Sequence, residues 1–136
     1  MLLDTNVVSE LMRPRPDARV VRFVEQLEGA LISVATLHEL VEGAERLSDP
    51  VRRADLNNWI DRIEQRYAAG IVGIDAHIAR LSGTLRGAAE RRGRIVTPMD
   101  ALIAGCALSR GATLATRNTR DFQTLGVALV NPWAEA

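Results

Sequence analysis

Apolar residues fall along this chain in two rhythms: short uninterrupted runs, and longer stretches in which they recur every three or four positions. Leu2-Leu3, just ahead of Asp4-Thr5-Asn6, reads as a short buried strand that runs into a turn or helix, and the helical pattern continues through Val7–Met12. The RPRP stretch at 13–16 ends it, because proline lacks the N–H a helix needs and pushes its predecessor toward extended backbone. Residues 17–28 predict a helix capped by Asp17, with Val20, Val21, Val24 and Leu27 on one face and Gly29 as its stop. ALISVA (30–35) predicts a second strand and 35–47 a helix. Ser48-Asp49-Pro50 opens a helix to about 68, with Leu56, Trp59, Ile60 and Ile63 at helical spacing. GIVGI (70–74) is a short strand or loop, and Asp75 caps a helix to about Arg92. RIV (94–96) is another short apolar run, and Thr97-Pro98-Met99-Asp100 has an ideal helix start, with Thr97 at the cap and Pro98 in the first helical position. That helix ends near Gly111, TLAT (113–116) predicts a strand, RNTRDF (117–122) a loop and VALV (127–130) a last strand.

Short apolar strands alternating with helices predict parallel βαβ units, hence an α/β fold. The 136 residues fit one domain over 1–136 with a real core, without repeats or low-complexity segments. Apolar content of 47% and 25% charge are those of an ordinary globular protein. No apolar stretch approaches a membrane span and no secretory leader pattern is present, so a cytoplasmic protein with no membrane partner is the expectation. The lone Cys106, in an apolar helical pattern, excludes an internal disulfide and reads as a buried structural thiol.

Charge adds one feature. The net charge is zero, yet all 17 basic residues are arginine, and eight of them stand at 80–120 against only Glu90 and Asp100. Arginine in place of lysine fits a GC-rich coding bias; the clustering does not, and such clustering can make a basic face on a neutral protein.

In an open parallel sheet, function gathers beyond the carboxyl ends of the strands. Asp4 follows the first run, with Asn6 two residues on. Glu39 lies on the helix after the second. Asp100 stands in the first helical turn after RIV, and Asn118 and Asp121 follow TLAT. Acids converging on one edge repel one another unless cations lie between them, and carboxylate with water suits Mg²⁺ or Mn²⁺. Such ions assist phosphodiester cleavage. Each acid also has a plainer reading. Asp4 can cap a helix, although a buried carboxylate costs several kcal/mol unless paired or metal-bound. Glu39 sits opposite the stripe of Leu37, Val41 and Ala44, on what reads as a solvated face with Glu42 and Arg46. Asp100 can reach back to the Thr97 backbone N–H. Asn118 and Asp121 are common turn formers. His38 and His77 fit no metal spacing, and Trp59 and Trp133 read as packing residues.

An Asp-x-Asn after the first strand also resembles the start of haloacid-dehalogenase-type phosphatases and receiver domains. Those sites use a lysine on the phosphoryl group, and this chain has none. The same lack, with no GxxxxGK[ST] pattern, excludes a P-loop.

LLDTNVVSEL, ISVATLHELVEGA, VTPMDALIAGCAL and TLATRNTRDF, followed by LGV and NPW, together resemble the PIN-domain family, specifically the VapC-type and FitB-type toxins of type II toxin–antitoxin systems. The resemblance spans nearly the whole chain in the expected order. It implies a PIN-like α/β/α sandwich around an open, mostly parallel sheet of four to five short strands. It further implies a Mg²⁺- or Mn²⁺-dependent endoribonuclease held inactive by a VapB-like antitoxin. Carried over residue by residue, it implies an acidic cluster of Asp4, Glu39, Asp100 and Asp121, with metal on Asp4 and Asp100 and with Asn6, Thr116 and Asn118 in support. Many relatives carry an acid at the place of Asn118, so the fourth corner is either Asn118 or Asp121. Arg117, Arg120, Arg86, Arg91, Arg92 and Arg94 are the candidates for RNA-backbone contacts, since arginine binds phosphate in bidentate fashion. A homodimer, and a heterotetramer or larger assembly with antitoxin, are implied as well. The rival within the fold is an inactive PIN-fold interaction module.

Overall fold

The computed structural model describes residues 1–134. Among them, five strands form one sheet in the order β3-β2-β1-β4-β5, and every neighbouring pair is parallel. The strands are β1 (Leu2–Leu3), β2 (Leu31–Ser33), β3 (Ile71–Val72), β4 (Leu114–Ala115) and β5 (Leu129–Val130). The helices are α1 (Thr5–Leu11), α2 (Ala18–Glu25), α3 (Val34–Glu45), α4 (Pro50–Arg66), α5 (Ala76–Arg91), α6 (Pro98–Ser109) and α7 (Thr119–Gln123).

The sheet separates two apolar layers because successive strand side chains point to opposite faces. Leu2 and Leu114 enter one core with Val72, Ile103, Cys106 and Phe122; Leu3, Ile32 and Ala115 enter the other with Val7, Val8, Val20, Ile60 and Trp133. Helix α3 feeds both, Ala35 into the first and Leu40 and Ala44 into the second. Asp17, Ser33, Asp49, Asp75 and Thr97 cap the helices predicted to follow them, each by a side-chain oxygen accepting a backbone N–H.

Three local expectations are corrected. RIV forms no strand. Gly93, at φ 77°, turns the chain out of α5. Val96 is buried and its carbonyl is held by Arg86 Nε at 2.7 Å, while Ile95 is 97% exposed. The segment therefore spans from α5 to α6 with one side in water. RNTRDF is not all loop, because α7 forms within it, anchored by Phe122 in the core. The buried face of α3 carries Leu40 rather than Val41, which is exposed, and this rotates Glu39 out of open solvent into a half-buried position.

From β1 the chain moves to β2 and β3 on one side and later returns to add β4 and β5 on the other. The direction of winding thus reverses between β1 and β4, where an open parallel sheet leaves a crevice beyond its carboxyl ends.

Candidate functional site

Asp4 stands at this reversal point. It follows central β1, caps α1, and is only 3% exposed. Its backbone N–H continues the sheet by donating to the Ala115 carbonyl at 2.9 Å. One carboxylate oxygen accepts the Thr5 N–H at 2.8 Å and the other accepts the Thr116 hydroxyl at 2.7 Å. Thr116, fully buried after β4, gives its one proton to Asp4 while its oxygen accepts from Asn6 Nδ2 at 3.3 Å and from the Asn118 N–H at 3.0 Å. Both lone pairs and the proton are thus committed, and the hydroxyl is fixed on the carboxylate. Asn6 completes the tie by accepting the Arg117 N–H on Oδ1 at 3.3 Å.

Glu39 arrives from α3. Its Oε1 accepts the Thr5 hydroxyl at 2.6 Å, and Thr5 Oγ1 lies 3.1 Å from the hydroxyl of buried Thr36. Asp100, in the first turn of α6, is set by the Thr97 cap, whose hydroxyl accepts its N–H at 3.2 Å. The charges of Glu39 and Asp100 bear on Asp4, and that of Glu39 bears on Asp100. Burial raises the Asp4 pKa to about 6, against the opposing hydrogen bonds from Thr116 and Thr5, and the charges of Asp100 and Glu39 add to the rise. Burial likewise raises Asp100, reinforced by the charge of Glu39, opposed by the Thr97 hydroxyl and reinforced again by Asp121.

Asp4, Glu39 and Asp100 line an open cleft of about 460 Å³ with Thr5, Asn6, Ser9, Glu10, Arg13, Arg117, Asn118 and Trp133. Of the two candidates for the fourth corner, Asn118 lines this cleft. Asp121 does not; its side chain is exposed on α7 and its charge bears on Asp100, while its backbone N–H donates to the Asn118 carbonyl at 3.1 Å. Of the arginines, Arg117 alone of those singled out lines the cleft, its guanidinium stacked 5.1 Å from the centre of the Trp133 ring. Arg86 and Arg92 Nη2 are bonded to the carbonyls of Val96 and Thr124, and Arg91, Arg94 and Arg120 are exposed away from the cleft lining.

Four residues here escaped the sequence reading of the site. Thr5 holds Glu39, and Thr36 meets the Thr5 hydroxyl. Glu10 is 6% exposed and accepts the Asp17 N–H at 3.0 Å and Arg13 Nη1 at 3.4 Å, tying the RPRP turn back to α1. Trp133, besides packing in the core, supports Arg117. A signal existed for two of them: Asn6, Ser9 and Glu10 form a polar i, i+3, i+4 stripe on α1, and Thr36 lies one helical turn before Glu39.

The donor set is carboxylate, amide and hydroxyl oxygen, the preference of hard divalent cations, and the raised Asp4 and Asp100 carboxyls are buried acids whose ionisation a cation would favour. Among the described residues, no three His, Cys, Asp or Glu side chains form a closed metal-ligating group. Mg²⁺ is commonly held by one or two carboxylates with water, and the Asp4 and Asp100 carboxylates are chemically compatible with such an ion.

A second groove, about 620 Å³, runs from the cleft between α1, α3 and α4, sharing Ser9, Arg13 and Glu39 with it and lined by Met12, Leu40, Ala44, Leu56 and Trp59. Trp59 is 38% exposed there and so is only partly the packing residue its spacing predicts.

The sequence and the fold are similar to those of known proteins. The chain is 34% identical to the toxin FitB of Neisseria gonorrhoeae, with 98% of each chain covered. It is also 34% identical to the tRNA(fMet)-specific endonuclease VapC of Shigella flexneri, over 98% of this chain and 97% of that one. The crystal structure of FitAcB from N. gonorrhoeae matches at a TM-score of 0.89 and 33% identity, covering 98% of this chain and 99% of the other. The sequence pattern of the PIN domain matches residues 1–127, a span that holds β1 to α7 and every acid of the cleft, and the chain belongs to the PIN-domain family.

Proposed function

We propose that this protein is a Mg²⁺- or Mn²⁺-dependent endoribonuclease of the VapC type, neutralised by a VapB-like antitoxin. The observation that carries the reading is Asp4: a buried carboxylate, raised to about 6, sharing one cleft with Glu39 and Asp100. A purely structural acid at this position gains its two hydrogen bonds without needing two further acids beside it. The relatives named as a toxin and as a tRNA endonuclease support the assignment to RNA cleavage.

In this reading Asp4 and Asp100 hold the cation, with Asn118 on the wall beside them. A divalent cation held there would supply charge neutralisation at the phosphodiester and a lower pKa for a nearby water. Thr116 keeps Asp4 in place through its committed hydroxyl. Glu39, with one oxygen occupied by Thr5, offers the other to orient the attacking water in line with the scissile bond. Asp121 acts as a distant charge on Asp100. Cleavage in the metal-bound protein stops with excess EDTA and returns with added Mg²⁺; full cleavage in EDTA overturns the metal role.

Arg117 is the phosphate-binding residue of the cleft. Trp133 stiffens its guanidinium, and the Asn6 bond to its backbone fixes where the stem leaves the chain. Replacing Arg117 by Ala weakens RNA binding roughly tenfold, the scale of one charge-assisted contact, and makes binding less dependent on salt. Mn²⁺ binding stays at the wild-type level. Filter binding across a salt series checks this, and an unchanged salt slope removes Arg117 from the RNA contact.

For the antitoxin, the groove between α1, α3 and α4 fits an amphipathic peptide. Its apolar side rests on Leu40, Leu56 and Trp59, and a basic side chain enters the acidic cleft past Glu39. A homodimer, bound by antitoxin as a heterotetramer or larger assembly, is the proposed form.

A further inference from the structure

Glu39 reaches the cleft on a helix that starts beyond β2, whereas Asp4 caps a helix beyond β1. Two acids on separate elements keep a fixed spacing only if something ties them together, and one residue touches both. The Thr5 N–H donates to Asp4 and the Thr5 hydroxyl donates to Glu39. The direction of that second bond follows from chemistry. A carboxylate accepts only, so the single Thr5 proton is spent on Glu39. The hydroxyl of Thr36, 3.1 Å away, must then donate to Thr5. Thr36 is fully buried on α3, so it has no water to turn toward. The result is a one-way chain, Thr36 to Thr5 to Glu39, running opposite the Thr116 bond that fixes Asp4 from the other side.

We infer that Thr5 is a positioning residue that sets the distance between Asp4 and Glu39 through its hydroxyl, with Thr36 orienting that hydroxyl. This role rests on the metal-dependent ribonuclease reading. Thr5 itself holds neither metal nor RNA. Val has nearly the shape of Thr and keeps the backbone N–H bond to Asp4, so Thr5→Val removes only the hydroxyl chain. Ser keeps the hydroxyl and loses a methyl.

The test compares wild type, Thr5→Val and Thr5→Ser by three readouts: the metal-free crystal structure, titration with Mn²⁺ followed by electron paramagnetic resonance, and RNA cleavage. In Thr5→Val the Glu39 carboxylate leaves its place while Asp4 stays. kcat then falls by roughly 10–100-fold, the scale for outer partners that orient the groups of a site, while KM for RNA and Mn²⁺ affinity, which depend on Asp4 and Asp100, move little. Thr5→Ser restores the Glu39 position and most of kcat. An unmoved Glu39 in the Thr5→Val structure overturns the inference, as does a Thr5→Ser variant as defective as Thr5→Val. A wild type that neither binds Mn²⁺ nor cleaves RNA overturns the functional reading, and the role of Thr5 in it, whereas a working wild type with an equally working Thr5→Val overturns the role alone.

Discussion

Asp4→Asn leaves a folded protein that no longer cleaves RNA. The fall is at least about 100-fold, beyond what an outer hydrogen-bonding partner costs, because the change removes the carboxylate proposed to hold the cation. The substitution preserves side-chain size and one acceptor oxygen, so the cap on Thr5 is retained. It fails where Thr116 meets it. The Thr116 oxygen already accepts from Asn6 and Asn118 and its proton points at Asp4. An amide N–H₂ in place of the second carboxylate oxygen offers that hydroxyl a third donor and no acceptor. The Asn6–Thr116–Asn118 junction therefore loosens, at a cost on the order of 1–3 kcal/mol for one unmatched buried group. That loss is tolerable to a stable fold, while the loss of the charge is not tolerable to the chemistry. Cleavage of a defined RNA in Mg²⁺, read beside a thermal melt of each protein, separates the two effects. A variant that melts like wild type and cleaves like wild type would remove Asp4 from the reaction.

How much of this was legible beforehand depended on whether a feature is local. The caps at Asp17, Asp49, Asp75 and Thr97 were readable because a capping side chain bonds an N–H two or three residues on, within the same stretch of sequence. The parallel sheet followed from alternation of strand and helix. Glu39 was the opposite case. The sequence spacing sets Leu37, Val41 and Ala44 opposite Glu39, and only the packing of Leu40 and Ala44 against α4 and the sheet turns Glu39 toward the cleft that Asp4 lines. Thr5 and Thr36 lie 31 residues apart, and no rule of spacing joins them. RIV had the composition of a strand, but Gly93 turns the chain out of α5 just before it and the Val96 carbonyl is bound by the Arg86 side chain instead of a strand neighbour. Asn118 and not Asp121 walls the cleft because α7 carries Asp121 away from it, the neighbouring Phe122 being drawn into the core, and no local spacing encodes that turn.

The same burial that suits Asp4 to a cation destabilises the protein without one, and the effect has a definite sign with pH. In the unfolded chain Asp4 ionises near 3.8; in the folded, metal-free protein it ionises at about 6. Between these values the folded state holds a proton that the unfolded state has released, so stability falls as pH rises. The contribution is fully present below about pH 4 and is lost as pH rises through about 6. A separation of roughly two pKa units amounts to about 3 kcal/mol. Asp100, raised by burial and by Glu39, acts in the same direction. Other groups titrate over the same range, so the clean measurement is the difference between wild type and Asp4→Asn, by chemical denaturation in EDTA. Relative to the variant, wild type loses about 3 kcal/mol from about pH 4 to pH 7, whatever the offset between the two proteins. Replacing EDTA with Mn²⁺ restores wild type at neutral pH, where Asp4 is ionised and can bind, and restores it less near about pH 5, where a proton must first leave. Parallel stability curves for the two proteins in EDTA would show that the Asp4 carboxylate is not held out of its ordinary range. The acid would then be a helix cap with no call on a cation.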